Sequence, residues 1–236
     1  MEGYIVGISG GIDSAVTSTL CALTGRKTIL LNMPILQTAA EYDRACEHMD
    51  NLKSRYSNVS GITIDLTDVF KSFQNELPAE TVSDHLSMAN SRARLRMTTL
   101  YAVGQANRCL VAGTGNKVED FGVGFFTKYG DGGVDVSPIA DLFKTEVYAL
   151  GKQLGVVKSI LEAKPTDGLW EDGRSDEDQL GASYAELEWA MEFNGDKSSL
   201  TKRQLEVIAI YDRFHRANKH KMDPIPVCSI PIELKK

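Results

Sequence analysis

The chain has 236 residues, 42% of them hydrophobic and 25% charged, and a formal net charge of −6. That length supports one sizeable α/β domain, read here as residues 1–236, and excludes a disulfide-stapled mini-protein. The acidic balance argues against a protein that lives on nucleic acid or on an anionic membrane, since both need a basic face. Cys21, Cys46, Cys109 and Cys228 form no C-x-x-C pair and read as reduced thiols. With no basic leader and no run of about 18 apolar residues, a cytoplasmic location is expected.

Tyr4 to Ile8 is an apolar run ending in a Gly-rich turn, as expected of a buried strand in a parallel sheet. Ile12, Ala15, Val16, Thr19, Leu20 and Leu23 then share one helical stripe, which Gly25 terminates. Thr28 to Met33 is a second strand, stopped by Pro34, and Tyr42 to Tyr56 an amphipathic helix. A strand over Gly61 to Leu66, a helix over Thr67 to Leu77, a long helix from Ser87 to Asn107 and a strand over Cys109 to Gly113 continue the alternation. Helices over Lys144 to Leu154, Ser175 to Phe193 and Lys202 to Lys219 make the C-terminal half mostly helical. This order predicts a parallel sheet covered on both faces, with ligands bound beyond the carboxyl ends of the strands.

The first such end carries G-I-S-G-G-I-D-S, comprising Gly7, Ile8, Ser9, Gly10, Gly11, Ile12, Asp13 and Ser14. Gly10 and Gly11 allow positive φ, which opens backbone N–H groups to an anion, and the helix N-terminus adds partial positive charge. The loop lacks the lysine of a Walker A motif and is not G-x-G-x-x-G. Asp13 would repel phosphate unless a cation stood between them, so its presence predicts bound Mg2+.

Set after a buried strand, S-G-G-I-D-S resembles the pyrophosphate loop of the N-type ATP pyrophosphatases. Gly124 to Asp135 (G-F-F-T-K-Y-G-D-G-G-V-D) resembles the signature of the bacterial NAD synthetases. Asn90 to Met97, Val111 to Asp120, the K-P-T of Lys164 to Thr166 and Ser175 to Gly181 agree with the same family. The resemblance implies a Rossmann-like doubly wound parallel sheet of the adenine nucleotide alpha hydrolase type, with added C-terminal helices. It also implies a homodimer that amidates deamido-NAD with ammonia and ATP through an acyl-adenylate. With 236 residues taken up by the synthetase resemblance, no amidotransferase domain is expected, and free ammonia is the expected donor. Members usually carry a helical segment ahead of the loop strand, whereas here that strand begins almost at Met1.

By this resemblance Asp13 and Glu119 hold Mg2+; the Glu119 to Lys128 spacing also leaves Asp120 in play, but matching from Gly113-Thr114 favours Glu119. Thr114, Lys144 and Thr166 join the loop in contacting ATP. Arg94, Lys128, Asp135, His220 and Lys221 meet deamido-NAD, whose pyrophosphate needs cations. Without the family, Arg92, Arg94 and Arg96 read as a solvated helix face and Lys144 as a lysine at a helix N-terminus. Thr81 to Ser87 and Asp167 to Asp178 are expected to form lids over the site. Two other activities fit the loop. One is tRNA thiolation or lysidine formation, against which the acidic balance and the lack of zinc-type cysteine pairs weigh. The other is non-catalytic nucleotide sensing.

Overall fold

The structure, a computed structural model, describes residues 1–166 and 175–235. Its elements run β1 (Gly3–Gly7), α1 (Ile12–Leu23), β2 (Lys27–Asn32), α2 (Ala39–Arg55), β3 (Val59–Thr63), α3 (Thr67–Asn75), α4 (Ala79–Val82), α5 (His85–Ala106) and β4 (Cys109–Ala112). A π-helical turn (Val118–Val123) follows, then α6 (Lys144–Leu154), α7 (Lys158–Leu161), α8 (Asp176–Leu180), α9 (Tyr184–Glu192) and α10 (Lys202–Met222).

All strand pairings are parallel, in the order β3-β2-β1-β4. Alternate residues of the central strands point to opposite faces, as the strand period of two requires. Ile5, Ile29 and Leu31 pack with Phe70 of α3 and Met88 of α5, while Val6, Ile8 and Leu30 pack with Cys21 of α1 and Ala45, Met49 and Leu52 of α2. Burial on both sides explains why β1 and β2 read as unbroken apolar runs. The doubly wound fold expected from the sequence is present.

Three expectations need correction. β3 begins two residues early and is mostly exposed, because it is an edge strand and buries little of its length. The helix expected over Ser175 to Phe193 is two helices, since Gly181 ends α8 at φ 81 and Ser183 caps α9 with Glu186 in a capping box. Of the loop glycines only Gly10 takes positive φ (82), while Gly11 caps α1 at φ −98. Among the described residues no helix is long and apolar enough to cross a membrane.

The C-terminal helices build their own apolar cluster. Val118 and Val123 of the π-helical turn meet Leu180 of α8, Tyr184 and Leu187 of α9, and Val207 and Ile208 of α10. This layer therefore buttresses the turn that carries Glu119 and Asp120. Residues 81–87 contribute the end of α4, the Asp84 cap and the start of α5, whereas 167–174 of the second expected lid lie outside the described residues.

Candidate functional site

β1 ends where Ile8 N donates to Leu31 O at 2.9 Å, so the chain leaves the sheet at a defined point. Gly10 then turns so close to α2 that an added Cβ would lie 2.6 Å from Glu41 O. Arg44 Nε also donates to Gly10 O at 3.3 Å, so α2 clamps the loop from outside. Gly11 caps α1 with no side-chain hydrogen bond, leaving first-turn N–H groups available to an anion. Ser9 and Ser14 face each other, Oγ to Oγ, at 3.1 Å, and Ser14 Oγ donates to Gly11 O at 2.9 Å.

Within the first turn of α1, the Asp13 carboxylate meets Lys144, the first residue of α6. Lys144 Nζ lies 2.6 Å from Asp13 Oδ2 and 2.9 Å from Glu119 Oε1, with its side chain only 4% exposed. It is a helix N-terminal lysine, as its sequence position suggested, but a buried one. A cation at a helix N-terminus opposes the macrodipole, and the two carboxylates compensate for this. Asn116, fully buried, donates Nδ2 to Asp13 Oδ1 at 3.1 Å and accepts from Glu119 N at 3.1 Å. Tyr184 donates to Glu119 Oε1 at 2.5 Å, reaches Asp176 Oδ2 at 3.2 Å, and lays its ring 4.7 Å from Lys144 Nζ.

The electrostatics follow from this wiring. Burial raises Asp13 above the ordinary carboxylate value, and Lys144 only partly offsets that. Burial pushes Glu119 the same way, but Lys144 together with hydrogen bonds from Tyr184, Lys144 and Asn116 outweighs it and holds Glu119 low. Burial alone would lower Lys144, and the two carboxylates more than reverse this. Asp120, which has no share in Lys144, is pushed up to about 7 by burial and by Glu119, Asp131 and Asp13.

Gly7 to Ser14, Thr114, Glu119, Asp120, Lys144, Thr166 and Lys221 line one cavity of about 620 Å3. Arg94, Lys128, Asp135 and His220 do not line it. Arg94 is exposed and donates Nε to Lys128 O at 3.3 Å, while Lys128 Nζ donates to His220 O at 2.5 Å. Asp135 accepts from Tyr101 OH at 3.1 Å and from Val111 N at 2.9 Å, tying its turn to β4. Lys221 Nζ donates to Gly124 O at 2.7 Å and Phe126 O at 2.8 Å, pinning the start of the same turn to α10. The glycines of that turn allow close approach to α5, since a Cβ on Gly130 would lie 2.9 Å from Ala93 Cβ.

Sequence reasoning assigned no role to Asn116, Asp176 or Tyr184, although the first two stand inside segments it had singled out. It also read Arg96 as part of a solvated face, whereas Arg96 lines the cavity.

A family model described as NAD synthase matches residues 1–224. The chain belongs to the NAD synthase family. It is 37% identical to an NH3-dependent NAD+ synthetase of Mesoplasma florum, over 93% of this chain and 85% of that protein. Among solved structures it resembles an NMN synthetase from Francisella tularensis, with a TM-score of 0.84 and 33% identity over 97% of this chain and 90% of that one. An NH3-dependent NAD synthetase from Campylobacter jejuni in complex with the nitrate ion gives a TM-score of 0.76 and 26% identity at the same coverage. The family thus agrees with the loop, and its match spans every side chain placed in the site above.

Proposed function

We propose that this protein amidates deamido-NAD with ammonia at the expense of ATP, giving NAD, AMP and pyrophosphate, the last step of NAD biosynthesis. The observation that carries the reading is the Asp13–Lys144–Glu119 cluster beside an uncapped helix N-terminus, in a chain matched to the NAD synthase family. The nicotinate carboxylate attacks the α-phosphorus, the bond to the β-phosphate oxygen breaks, and pyrophosphate leaves. Ammonia then attacks the acyl carbon of the mixed anhydride, AMP departs, and the nitrogen loses a proton. The loop N–H groups, Ser9, Ser14, Thr114 and Thr166 bind and orient ATP, and no protein nucleophile is needed.

Mg2+ fits this site. Asp13 and Glu119 direct oxygens at one shared cation position, now taken by the Lys144 ammonium. Among the described residues no cluster of three or more His, Cys, Asp or Glu forms a closed cage. Two hard oxygens suit an ion that completes its shell with water and phosphate. Asp13 and Glu119 would hold it, and it would neutralise charge on the phosphate oxygens. Glu119 is preferred to Asp120 because it shares Lys144 with Asp13.

Incubation with ATP, deamido-NAD and ammonium should yield NAD, AMP and pyrophosphate; ADP as product would overturn the scheme, and turnover with glutamine alone would overturn ammonia as donor. A second reading, amidation of nicotinate mononucleotide, draws support from the likeness to the Francisella protein and from the position of Arg94, Lys128, Asp135 and His220 outside the cavity. Supplying each nucleotide separately and following pyrophosphate release decides between them. A homodimer is the proposed assembly, tested by sedimentation equilibrium, and residues 1–236 are read as one domain.

A further inference from the structure

α5 turns Ala93, Arg96, Met97 and Leu100 toward the cavity, and Arg96 is the cation among them. Its Nε donates to Met33 O at 3.0 Å and its Nη2 to Gln37 Oε1 at 3.4 Å, both neutral acceptors. Among the described residues no carboxylate forms an ion pair with it; the nearby Glu41 spends its carboxylate on the Thr38 backbone N–H and hydroxyl at the start of α2. Burial, and then Arg92, push the Arg96 guanidinium down to about 10 against the opposing charges of Glu41 and Asp131, so it stays charged at neutral pH with hydrogen bonds only to neutral acceptors.

Its place in the fold narrows the anion it serves. A Cβ on Gly7 would meet Met33, whose carbonyl accepts from Arg96, at 3.4 Å and Leu100, one turn of about 5.4 Å further along α5, at 3.5 Å. Arg96 therefore stands close to the phosphate loop, yet it comes from the sheet face that α5 covers, opposite the face from which α1 brings Asp13. On the α1 side the uncapped helix start offers N–H groups to phosphate, while Lys144 is engaged by Asp13 and Glu119. A planar fork of N–H donors matches a carboxylate as well as a phosphate, and titration separates the two.

We propose that Arg96 receives the carboxylate of the nicotinate-bearing substrate and orients it toward the phosphate loop, a specificity-determining role that rests on the amidation reading above. NAD is the control ligand, because it keeps the sugars and phosphates of deamido-NAD and lacks only the carboxylate.

Calorimetric titration of the wild type, R96Q and R96K with deamido-NAD, NAD and ATP tests this. R96Q should weaken deamido-NAD by at least about tenfold, the scale of one charge-assisted hydrogen bond. NAD and ATP should stay within about twofold, and R96K, which keeps charge without the fork, should fall between wild type and R96Q. Equal losses for deamido-NAD and NAD would assign Arg96 to a phosphate and overturn the proposal, as would unchanged deamido-NAD binding. Should R96Q not fold, R96K carries the same comparison of deamido-NAD with NAD. Wild type that binds deamido-NAD through Arg96 but forms no NAD would sink the amidation reading alone. Wild type that forms NAD while R96Q binds normally would sink only the assignment of Arg96.

Discussion

Tyr184 of α9 donates its hydroxyl to Glu119 of the π-helical turn at 2.5 Å, so the C-terminal helices reach directly into the acidic cluster. The same hydroxyl lies 3.2 Å from Asp176 Oδ2, and its one proton is shared between the two side chains. Tyr184→Phe keeps the ring beside Lys144 and removes both hydroxyl contacts. Leaving Glu119 short of a buried partner should cost about 1–3 kcal/mol in denaturant unfolding. It should also raise the Mg2+ concentration needed for half-maximal turnover several-fold; an unchanged Mg2+ requirement would show that Tyr184 serves packing only.

Lys144 and Asp13 make unequal contributions to stability. Lys144→Met leaves two buried carboxylates facing each other, whereas Asp13→Ala leaves Lys144 paired with Glu119. Breaking the buried pair from the lysine side should therefore destabilise by about 3–5 kcal/mol, and from the aspartate side by clearly less. Asp13→Ala should nonetheless abolish ATP-dependent turnover with the circular dichroism spectrum intact. Retained turnover would show that this carboxylate is expendable for the chemistry, whereas ATP binding with no turnover in the wild type would favour a nucleotide sensor.

Gly10 sits at φ 82 with Glu41 O 2.6 Å from where a Cβ would stand. Gly10→Ala should cost about 1–3 kcal/mol through strain at this backbone position. Because α2 clamps the loop here, the KM for ATP should rise more than that for ammonia. Equal changes in both would indicate general loosening instead.

His48 is buried at 1% exposure, with Nε2 2.9 Å from Ser18 Oγ, and burial followed by the Arg55 charge lowers it to about 4. The folded state therefore holds it neutral while the unfolded chain titrates near 6.5. Its contribution is complete above about pH 6.5 and is lost as pH falls toward 4, by up to ~3 kcal/mol. Asp120, raised to about 7, acts with the opposite sign across the same range. The measurement is thus the difference between wild type and His48→Gln in the ligand-free protein, which should shift against the wild type on acidification. A pH-independent difference would mean that His48 titrates normally.

The order of strands and helices was legible because β1 and β2, apolar on both faces, and the glycine-marked end of α1 are local signals. The loop from Gly7 to Ser14 was equally legible, since its chemistry lies within eight consecutive residues. Asp13 predicted Mg2+, through the misfit of a carboxylate in an anion site, whereas the cation that the fold sets beside it is the Lys144 ammonium. Which residues complete the site was another matter. Lys144 stands 131 residues from Asp13 and Tyr184 stands 65 from Glu119, and no local pattern brings such pairs together. Arg94 and Arg96 look alike in sequence; only the packing of α5 on the sheet sends the first outward and the second into the cavity. Local sequence patterns set the α/β order and pointed to a phosphate loop. The tertiary structure decided which charges meet, because burial and partner distance arise only once the helices close over the strand ends.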